Sequence, residues 1–547
     1  MFLDKDHLNL LDWPMVIDVL LSYAHFSQTK STLSEPPLFQ EPEKLRHHYH
    51  ELKKFLATND REQLEKIHKG LFYLNADHTI ANALVYVKKS GVLDVHNLHE
   101  IALLIELALD LNILSNKEYR EIYHSFVSEI RKIITPNGQI DFMAHPELAG
   151  IQKDIFSLEI NIRQQIDSLK FDNHYKNSFQ FLGSDTYNDY YVVAINADFY
   201  QKSHGAILNS SESRKTFYVE PFAIKELNKK RLELLSEQKE MLYKIYKRLS
   251  SFLSLHSDHV IELLEAVYDL DLMCAKALYH ESLSLCIPEV VESEEEFVLH
   301  GFFHPLIKNS ILNDFDGQHK RGLILSGPNT GGKTIALKSI ALSHLLMHIG
   351  VGVNAKMARL YPYQNIYYFS HDQQNIQEGL SSFSAECKQY MNLMRNFKEK
   401  SLVFFDEIFN STSSEEASSL ALALFKSLLK FSQTKIFVTT HHYMLKTQGH
   451  ISEDFLSAHV LLDDQSLLPT YKISYGNPGA SHAITIFKKL TQNDGVFSEI
   501  LNDAFSFLSQ KEIKFEQLLQ DLNSRKVQLD KALQENEQIN KELKNMK

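Results

Sequence analysis

A glycine-rich loop between an apolar run and a helical pattern constrains the fold of this 547-residue chain more than any other feature. The run GLILS at 322–326 is followed by GPNTGGKT and then by the pattern IALKSIALSHLLMH. The loop satisfies GxxxxGK followed by Ser or Thr, in which glycines let backbone N–H groups face phosphate oxygens at a helix N-terminus. A chance match in a glycine-rich turn is the alternative. The strand before the loop and the helix after it favour a phosphate-binding loop in an α/β domain.

This loop predicts a bound ATP with Mg²⁺ as its cofactors. Lys333 is expected to reach the β and γ phosphates, and Thr334 is expected to bind Mg²⁺. The other predicted phosphate-binding residues are Gly327, Pro328, Asn329, Thr330, Gly331 and Gly332. The sequence therefore predicts a nucleotide site at the start of this helix.

Two further apolar runs end in polar residues that suit ATP hydrolysis. The run SLVFFD ends at Asp406, which is expected to bind Mg²⁺, and Glu407 is expected to polarise the attacking water. An ordinary acidic pair at a strand end is the alternative. The run KIFVTT ends before His441, which could contact the γ phosphate or the water, with His442 as a competing candidate. Because ligands of α/β sheets bind at the carboxyl ends of strands, these residues predict one catalytic site.

The chain is predicted to be multidomain, with an α-helical core and lever domain at 1–300. Within it, short β-type runs at 179–222 predict a small β insertion, and the pattern at 224–283 predicts one helix of about 60 residues. The segment 301–500 alternates strands and helices, which is typical of an α/β P-loop ATPase domain of the ABC type. Apolar residues among dense charges at 507–547 predict a C-terminal coiled coil or exposed helix.

Composition restricts the possible classes of function. The net charge is −12, so a basic protein that coats nucleic acid is not expected. The three cysteines include no CxxC motif, which argues against a zinc ribbon and fits a reducing cytoplasm as the predicted location. No run approaches the roughly 20 apolar residues of a membrane span, so no membrane partner is expected.

Four segments, taken in order, carry a specific resemblance. GPNTGGKT, QEGLSSFSAEC, FFDEI and TTHH resemble the ATPase motifs of the MutS family. The segments LDWPMVIDVLLSYAHFS at 11–27 and KTFYVEPFAIKELNKKRLEL at 215–234 are similar to the second, recombination-suppressor branch of that family. The resemblance implies an ATP hydrolase that acts as a homodimer. The chain departs from the family in two respects, because neither the first branch's mismatch-recognition domain nor the C-terminal Smr nuclease domain that the second branch often has is expected in it.

The resemblance implies roles for four more residues. Phe315 and Tyr471 are implied to stack on the two faces of the adenine, with a place in the core as the alternative for each. Ser381 and Ser382 match a family serine that reaches the γ phosphate bound by the partner subunit. A helix N-cap is the alternative for these serines. If the family role holds, each ATP lies in a composite site between two subunits.

One segment departs from the family pattern directly after the acidic pair. The family has a glycine-rich loop there, whereas this chain reads IFNST at 408–412 and keeps only Thr412. The catalytic acids remain, but the turnover rate and the signalling between subunits stay open. An ATP-gated scaffold with weak turnover is therefore one alternative function.

Nucleic acid is the predicted cargo, and the basic stretch 213–248 is the candidate contact surface. It holds ten Lys and Arg residues against five acids. A solvated helix face with i,i+4 ion pairs is the alternative. The candidate contacts are Arg214, Lys215, Lys229, Lys230 and Arg231.

The predicted function is that of a DNA-binding MutS-like ATPase. A homodimer would clamp duplex, mismatched or branched DNA in mismatch repair or recombination control. A rescue ATPase that associates with ribosomes or structured RNA is the second alternative to this prediction.

Overall fold

The computed structural model of the chain describes residues 5–476 and 525, apart from 37, 40, 73, 75–78, 115, 318, 329–330, 371–381, 411 and 464–467. The chain forms two compact units. Unit 1 combines Met1–His68 with Asp271–Lys547, and unit 2 is Lys69–Leu270. This division differs from the predicted boundary at residue 300, because the first 68 residues belong with the segment that carries the phosphate loop.

Helices make up most of the chain before residue 179, and strands alternate with helices after residue 313. The α-helices are α1 (Lys5–Leu10), α2 (Trp13–Leu21), α3 (Ser27–Ser34), α4 (Pro42–Thr58), α5 (Arg61–Phe72), α6 (Thr79–Lys88), α7 (Val95–Asp110), α8 (Lys117–Arg131), α9 (Pro146–Leu169), α10 (Lys225–Leu283), α11 (Lys333–His348), α12 (Ser382–Asn396), α13 (Ser414–Leu428) and α14 (Tyr443–Ile451). The β-strands are β1 (Phe179–Tyr187), β2 (Tyr190–Asn196), β3 (Gly205–Ser210), β4 (Thr216–Pro221), β5 (Glu289–Val290), β6 (Val298–Phe302), β7 (Asn313–Asp316), β8 (Gly322–Ser326), β9 (Met357–Leu360), β10 (Asn365–Ser370), β11 (Ser401–Asp406), β12 (Thr434–Thr440), β13 (Phe455–Leu462) and β14 (Pro469–Tyr475).

A six-stranded sheet lies at the centre of unit 1, in the order β10-β11-β12-β8-β13-β14. Its first five strands are parallel, and β14 pairs antiparallel with β13 at the edge. Strands β8, β11 and β12 are buried along their whole length, as continuous apolar runs covered on both faces should be. The register pairs Asp406 with Thr439 and Ser326 with Thr440. The carboxyl ends of these three strands therefore meet at one edge of the sheet.

A second sheet of unit 1, in the order β5-β9-β6-β7, shares an aromatic core with the central sheet and α11. The ring of Phe297, just before β6, lies 4.9 Å from His344 of α11 and 5.1 Å from Phe315 of β7. The ring of Phe315 lies 5.3 Å from Phe437 of β12. These rings fill the space between the two sheets, as large aromatic side chains do in close-packed interiors.

Segments distant in sequence satisfy the backbone groups at the C-terminus of α11. The Tyr49 hydroxyl of α4 donates to the carbonyls of Met347 at 3.2 Å and Val351 at 2.9 Å. The Lys276 Nζ, near the end of α10, donates to the carbonyl of Ile349 at 2.7 Å. A helix leaves its last carbonyls without partners inside the helix, so these bonds complete its end. They also explain why the first 68 residues fold with the second half of the chain.

Unit 2 contains a four-stranded antiparallel sheet in the order β1-β2-β4-β3. Its strands lie within 179–221, where the short β-type runs predict strands. Ile162 and Ile166 of α9 share a core with Tyr191 and Val219 of the sheet. The long helix predicted over 224–283 is confirmed, since α10 runs without interruption through 59 residues.

The mixed class of helices and sheets, with an α/β arrangement in the second half, agrees with the predicted fold class. The coiled coil predicted at 507–547 lies outside the described residues except for 525. Within the described part of the chain, every helix is too short or too polar to cross a bilayer.

Candidate nucleotide-binding site

The phosphate loop joins β8 to α11 through backbone conformations that glycine allows. Gly327 has a φ of +142° and Gly332 has a φ of +83°, and a side chain at either position would be strained. The backbone N–H of Gly331 donates to the carbonyl of Pro328 at 2.9 Å, which closes the turn. A Cβ added at Gly332 would lie 3.0 Å from the ring of Tyr471. The glycines therefore serve both the turn and the close approach of β14.

Lys333 is buried at the first position of α11, with an exposed fraction of 1%. Its Nζ donates to the carbonyl of Gly327 at 2.7 Å and lies 3.6 Å from Oε1 of Glu407. Burial lowers the pKa of Lys333, and the nearby Glu407 carboxylate opposes that shift. The ammonium is thus held at the loop by a carbonyl and an anion, where phosphate oxygens are expected to bind.

Thr334 and Asp406 lie together and form an oxygen pair that suits Mg²⁺. Burial raises the pKa of Asp406, whereas hydrogen bonds from Thr439 and Thr334 lower it. The Thr439 hydroxyl donates to Oδ1 of Asp406 at 2.6 Å. The described residues contain no group of three or more His, Cys, Asp or Glu side chains placed to hold a metal. Mg²⁺ often takes only one or two protein oxygens and completes its shell with phosphates and water, so this pair fits the ion.

Glu407 sits directly after β11 in a left-handed backbone conformation, with φ of +58°. Its backbone N–H donates to the Thr439 hydroxyl oxygen at 2.8 Å. The Asn410 Nδ2 donates to its Oε2 at 2.9 Å. A non-glycine residue in this region persists only when its surroundings hold it there, and such residues cluster at functional sites.

The two histidines after β12 have different environments. His441 is exposed, and partial desolvation, followed by the charges of His442 and Lys333, lowers its pKa to about 4. The His441 ring is therefore neutral at neutral pH. It lies close enough to Lys333 for the charge of that lysine to lower its pKa. His442 is buried, and its Nδ1 lies 3.2 Å from the hydroxyl of Ser414 at the start of α13. Of the two, His441 has the more suitable position for a contact with nucleotide or water.

A cavity of about 280 Å³ opens beside Gly332 and Tyr471. Tyr471 has an exposed fraction of 51%, so its ring is available to a ligand. Asn313 holds this segment, since its Nδ2 donates to the carbonyl of Tyr471 at 3.0 Å and its Oδ1 accepts from Ile473 N at 2.8 Å. The cavity is lined by Phe302, Phe303, His304, Ile307, Asn309, Ser310, Ile311, Asn313, Gly332, Ile335, Ala336, Ser339 and Tyr471. Such a lining of apolar side chains with a few polar groups suits an aromatic base.

Phe315 does not line this cavity, although the resemblance implies that it stacks on adenine. Its exposed fraction is 1%, and its ring packs against Phe297 and Phe437 in the core between the sheets. No ring face of Phe315 is open to a base. The alternative given for it, a place in the core, corresponds to its position.

Four predicted site residues fall at the limits of what the structure describes. Asn329 and Thr330 of the phosphate loop and Ser381 lie outside the described residues. Ser382 is the first residue of α12, and its side chain is outside the described part. Their predicted roles therefore remain predictions.

The candidate nucleic-acid contacts lie in unit 2, at the β3–β4 connection and the start of α10. Arg231 differs from the other four candidates because its side chain is engaged by protein groups. Its guanidinium pairs with Glu159 at 2.7 Å and donates to the carbonyl of Asp189 at 2.7 Å. It also lies over the ring of Tyr191 at 5.1 Å, so its charge is used within the unit. The exposed candidates are Arg214, Lys215, Lys229 and Lys230.

Sequence reasoning missed three residues that hold the site together, namely Thr439, Asn410 and Asn313. Thr439 lies opposite Asp406 in the register of two parallel strands, and strand order does not follow from one sequence. The available signal was the polar pair that ends the apolar run KIFVTT. Asn410 and Asn313 act through contacts that only the folded loops create.

Comparison with known proteins extends these observations. The family model described as MutS domain V matches residues 323–510. Endonuclease MutS2 of Clostridium beijerinckii is 27% identical over 426 residues, which cover 77% of this chain and 53% of the relative. Endonuclease MutS2 of Aquifex aeolicus is 29% identical over 522 residues, or 92% of this chain and 66% of the relative. Endonuclease MutS2 of Thermus thermophilus is 33% identical over 366 residues, or 67% of this chain and 48% of the relative. The chain thus spans between about half and two thirds of these relatives.

The sheet order, the phosphate loop and the acidic pair define a P-loop nucleotide-binding protein. The family match adds that its second half is the P-loop ATPase domain of one particular family. The chain belongs to the MutS family and is of the MutS2 type.

Proposed function

We propose that this chain hydrolyses ATP and uses the cycle to close and open a homodimeric clamp on DNA in recombination or repair. The observation that carries the proposal is the junction at Thr439. One hydroxyl bonds both the Asp406 carboxylate and the backbone of Glu407, and Glu407 faces the buried Lys333. This arrangement joins a phosphate-binding cation, an Mg²⁺ ligand and a general base at one edge of the sheet.

Each side chain has a defined task in the proposed reaction. Lys333 and the backbone of the loop bind the β and γ phosphates at the N-terminus of α11. Thr334 and Asp406 hold Mg²⁺, which supplies charge neutralisation at the phosphates when it is bound. Glu407 orients the attacking water and accepts its proton. His441, which is neutral because its pKa is about 4, can donate or accept a hydrogen bond near the γ phosphate without adding charge.

The base-binding part of the proposal uses the cavity beside Gly332. Tyr471 offers an exposed ring against the loop, and Asn313 fixes its backbone. Stacking of a purine on this ring would hold ATP with the phosphates over the loop. Phe315 belongs to the core between the sheets and does not stack on the base in this proposal.

The dimeric and nucleic-acid parts of the proposal rest on the family and on charge. Relatives of the MutS2 type carry the name endonuclease, and the chain spans only part of them. We assign Ser381 and Ser382 to the γ phosphate of the partner subunit, which makes ATP a bridge between the two copies. We assign the exposed cations Arg214, Lys215, Lys229 and Lys230 to DNA phosphates.

Steady-state ATP hydrolysis by the purified chain tests the proposal. We expect activity that duplex or four-way-junction DNA stimulates, and loss of activity in Lys333→Ala and Glu407→Gln. Glu407→Gln should still bind ATP, because Lys333 and the loop remain.

The same assay separates the alternatives. Stimulation by ribosomes or structured RNA, with none by DNA, would replace the DNA clamp with a rescue ATPase. If the wild-type chain binds ATP tightly but turns over no faster than Glu407→Gln, the chain is an ATP-gated scaffold.

A further inference from the structure

The segment after Glu407 takes a strained path that its own sequence does not favour. Phe409 has a φ of +53°, in the left-handed region where glycine is favoured, and it stands where the family has a glycine-rich loop. Its buried ring lies 5.1 Å from the ring of Tyr390 and 5.9 Å from that of Phe383, both on α12. Contacts with α12 therefore take the place of glycine in holding this loop.

A buried carboxylate on α12 fixes the backbone of the same loop. Glu386 has an exposed fraction of 7%, and its Oε1 accepts from the backbone N–H of Phe409 at 2.7 Å. The same oxygen accepts from the Tyr390 hydroxyl at 2.8 Å. Burying a carboxylate is costly unless hydrogen bonds compensate it, so these bonds keep the loop attached to α12.

Asn410 carries this constraint to the catalytic carboxylate. Its Nδ2 donates to Oε2 of Glu407 at 2.9 Å, while Oε1 of Glu407 lies 3.6 Å from the Lys333 Nζ. Each oxygen of Glu407 thus has its own neighbour, and the carboxylate plane is defined. Asn410 follows Phe409 directly, so the bond from Glu386 to Phe409 also fixes where the Asn410 amide can lie.

We propose that Glu386 and Asn410 are positioning residues for Glu407, an inference that rests on the proposed ATP hydrolysis. Glu386 acts through the backbone of the loop and Asn410 through the Glu407 carboxylate. Positions 382 and 386 are one turn apart on α12, so the helix that starts at the predicted partner-contacting serines also holds the catalytic loop.

The first test substitutes Asn410 and separates turnover from binding. In Asn410→Ala we expect kcat to fall by about 10- to 100-fold, since small misplacements of a catalytic group have effects of that order. The KM for ATP and the Kd for a non-hydrolysable ATP analogue should change less than about twofold, because the phosphate-binding residues remain. Asn396→Ala, at an exposed amide that bonds Asn392, is the matched control and should keep the wild-type kcat.

A double-mutant cycle tests whether Asn410 acts through Glu407. Single-turnover hydrolysis in Glu407→Gln should be no slower when Asn410→Ala is added, because the carboxylate that Asn410 positions is already absent. Independent, multiplying losses would overturn the proposal.

The second test uses Glu386 and a conservative rescue. Glu386→Gln keeps an acceptor oxygen for Phe409 N and Tyr390 and should retain most of the kcat, whereas Glu386→Ala should lower kcat by about 10-fold or more with ATP binding intact. Glu399→Ala, an exposed acid just beyond α12, is the control.

If Glu386→Ala fails to fold, Tyr390→Phe, which removes one bond to the same oxygen, replaces it. Equal losses of kcat and ATP binding in these variants would reduce both residues to structural roles. A wild-type chain without ATP hydrolysis would instead overturn the proposed function itself.

Discussion

At the scale of single residues, Thr439 links the two acidic residues of the site through one hydroxyl. Its hydroxyl donates to Asp406 and accepts from the backbone N–H of Glu407, so one side chain orients the Asp406 carboxylate and the backbone at Glu407. Both partners are at least partly buried, so the loss of either bond removes a hydrogen bond that water does not fully replace. The residue is thus a structural link inside the proposed chemistry.

Thr439→Val tests this link at nearly constant volume. We expect the free energy of unfolding to fall by about 1–3 kcal/mol, because a buried carboxylate and a backbone N–H lose a partner. The kcat should also fall, and a higher Mg²⁺ concentration should be needed for half-maximal activity, since Asp406 is less well oriented. Thr439→Ser restores the hydroxyl and should recover both properties. A valine variant with wild-type kcat and Mg²⁺ dependence would contradict this role.

Phe315 and Tyr471 show what residue type alone leaves open. The resemblance gives both an adenine-stacking role, but the structure buries one ring between two sheets and exposes the other beside the phosphate loop. Burial of an aromatic residue depends on which strands become neighbours, and that pairing is set by contacts far apart in the chain. Lys333, Asp406 and Glu407 could be predicted to share one edge of the sheet, because each lies at or after the carboxyl end of a strand in a recognisable motif.

We therefore expect Tyr471→Ala to change the KM for ATP and Phe315→Leu to change the free energy of unfolding. Loss of the exposed ring should raise the KM for ATP by about 3- to 10-fold with little change in kcat, in line with about 1 kcal/mol of stacking. The core substitution should lower the free energy of unfolding by about 1–2 kcal/mol and leave KM unchanged. Steady-state kinetics and urea denaturation of both variants check this contrast. A higher KM in Phe315→Leu alone would restore its adenine role.

At the scale of elements, α11 has the phosphate loop at its N-terminus and is buried along most of its length. Sequence reasoning predicts the helix from its apolar periodicity, but it does not predict that residues around nearly all of its circumference are buried. His344 lies within it at full burial, with its ring 4.9 Å from Phe297 and 5.8 Å from Tyr363. Desolvation lowers the pKa of His344 to about 3, so the ring stays neutral in the folded state.

This burial predicts acid sensitivity of unit 1. In the unfolded chain the ring has the ordinary pKa of 6.5 and binds a proton that the folded state excludes. The contribution of the neutral ring to the free energy of unfolding is present above pH 6.5 and is lost as pH falls from 6.5 toward 3. Between pH 7 and 5 we expect this contribution to decrease by about 2 kcal/mol. Trp13, the one tryptophan of the chain, is buried in the core of unit 1, and its fluorescence reports urea unfolding of that unit. His344→Gln should reduce the loss between pH 7 and 5, and the exposed His47→Gln should not. An unchanged pH dependence in His344→Gln would contradict this explanation.

At the scale of the whole molecule, the parts that sequence could not supply are the long-range ones. The alternation of strands and helices after residue 300, the strands within 179–221 and the 59-residue helix follow from local patterns. The membership of the first 68 residues in unit 1 does not, because it depends on bonds such as Tyr49 to Met347, which join residues 298 positions apart. No local pattern encodes such a pairing.

Charge is the whole-molecule property that most sharply tests the proposed cargo. The chain has a net charge of −12, so its average field repels nucleic acid, and the proposed DNA binding requires a local cluster of cations. Arg214, Lys215, Lys229 and Lys230 are exposed, whereas Arg231 is paired with Glu159. Replacing the four exposed cations by alanine should therefore weaken duplex binding at every sequence tested. Each lost phosphate contact lowers the salt dependence of log K by about 0.9, so the slope should decrease by up to about 3 to 4.

Fluorescence anisotropy with a labelled duplex, titrated at several salt concentrations, measures this slope. Lys53→Ala with Lys54→Ala, at two exposed lysines of α4, is a control for the loss of positive charge as such. Arg231→Ala should destabilise unit 2 and change the slope little, because its guanidinium is engaged by Glu159 and by the carbonyl of Asp189. A fourfold variant that keeps the wild-type slope would place the DNA elsewhere on the molecule. A slope that falls equally in the Lys53 and Lys54 control would show that overall charge, and not this cluster, governs binding.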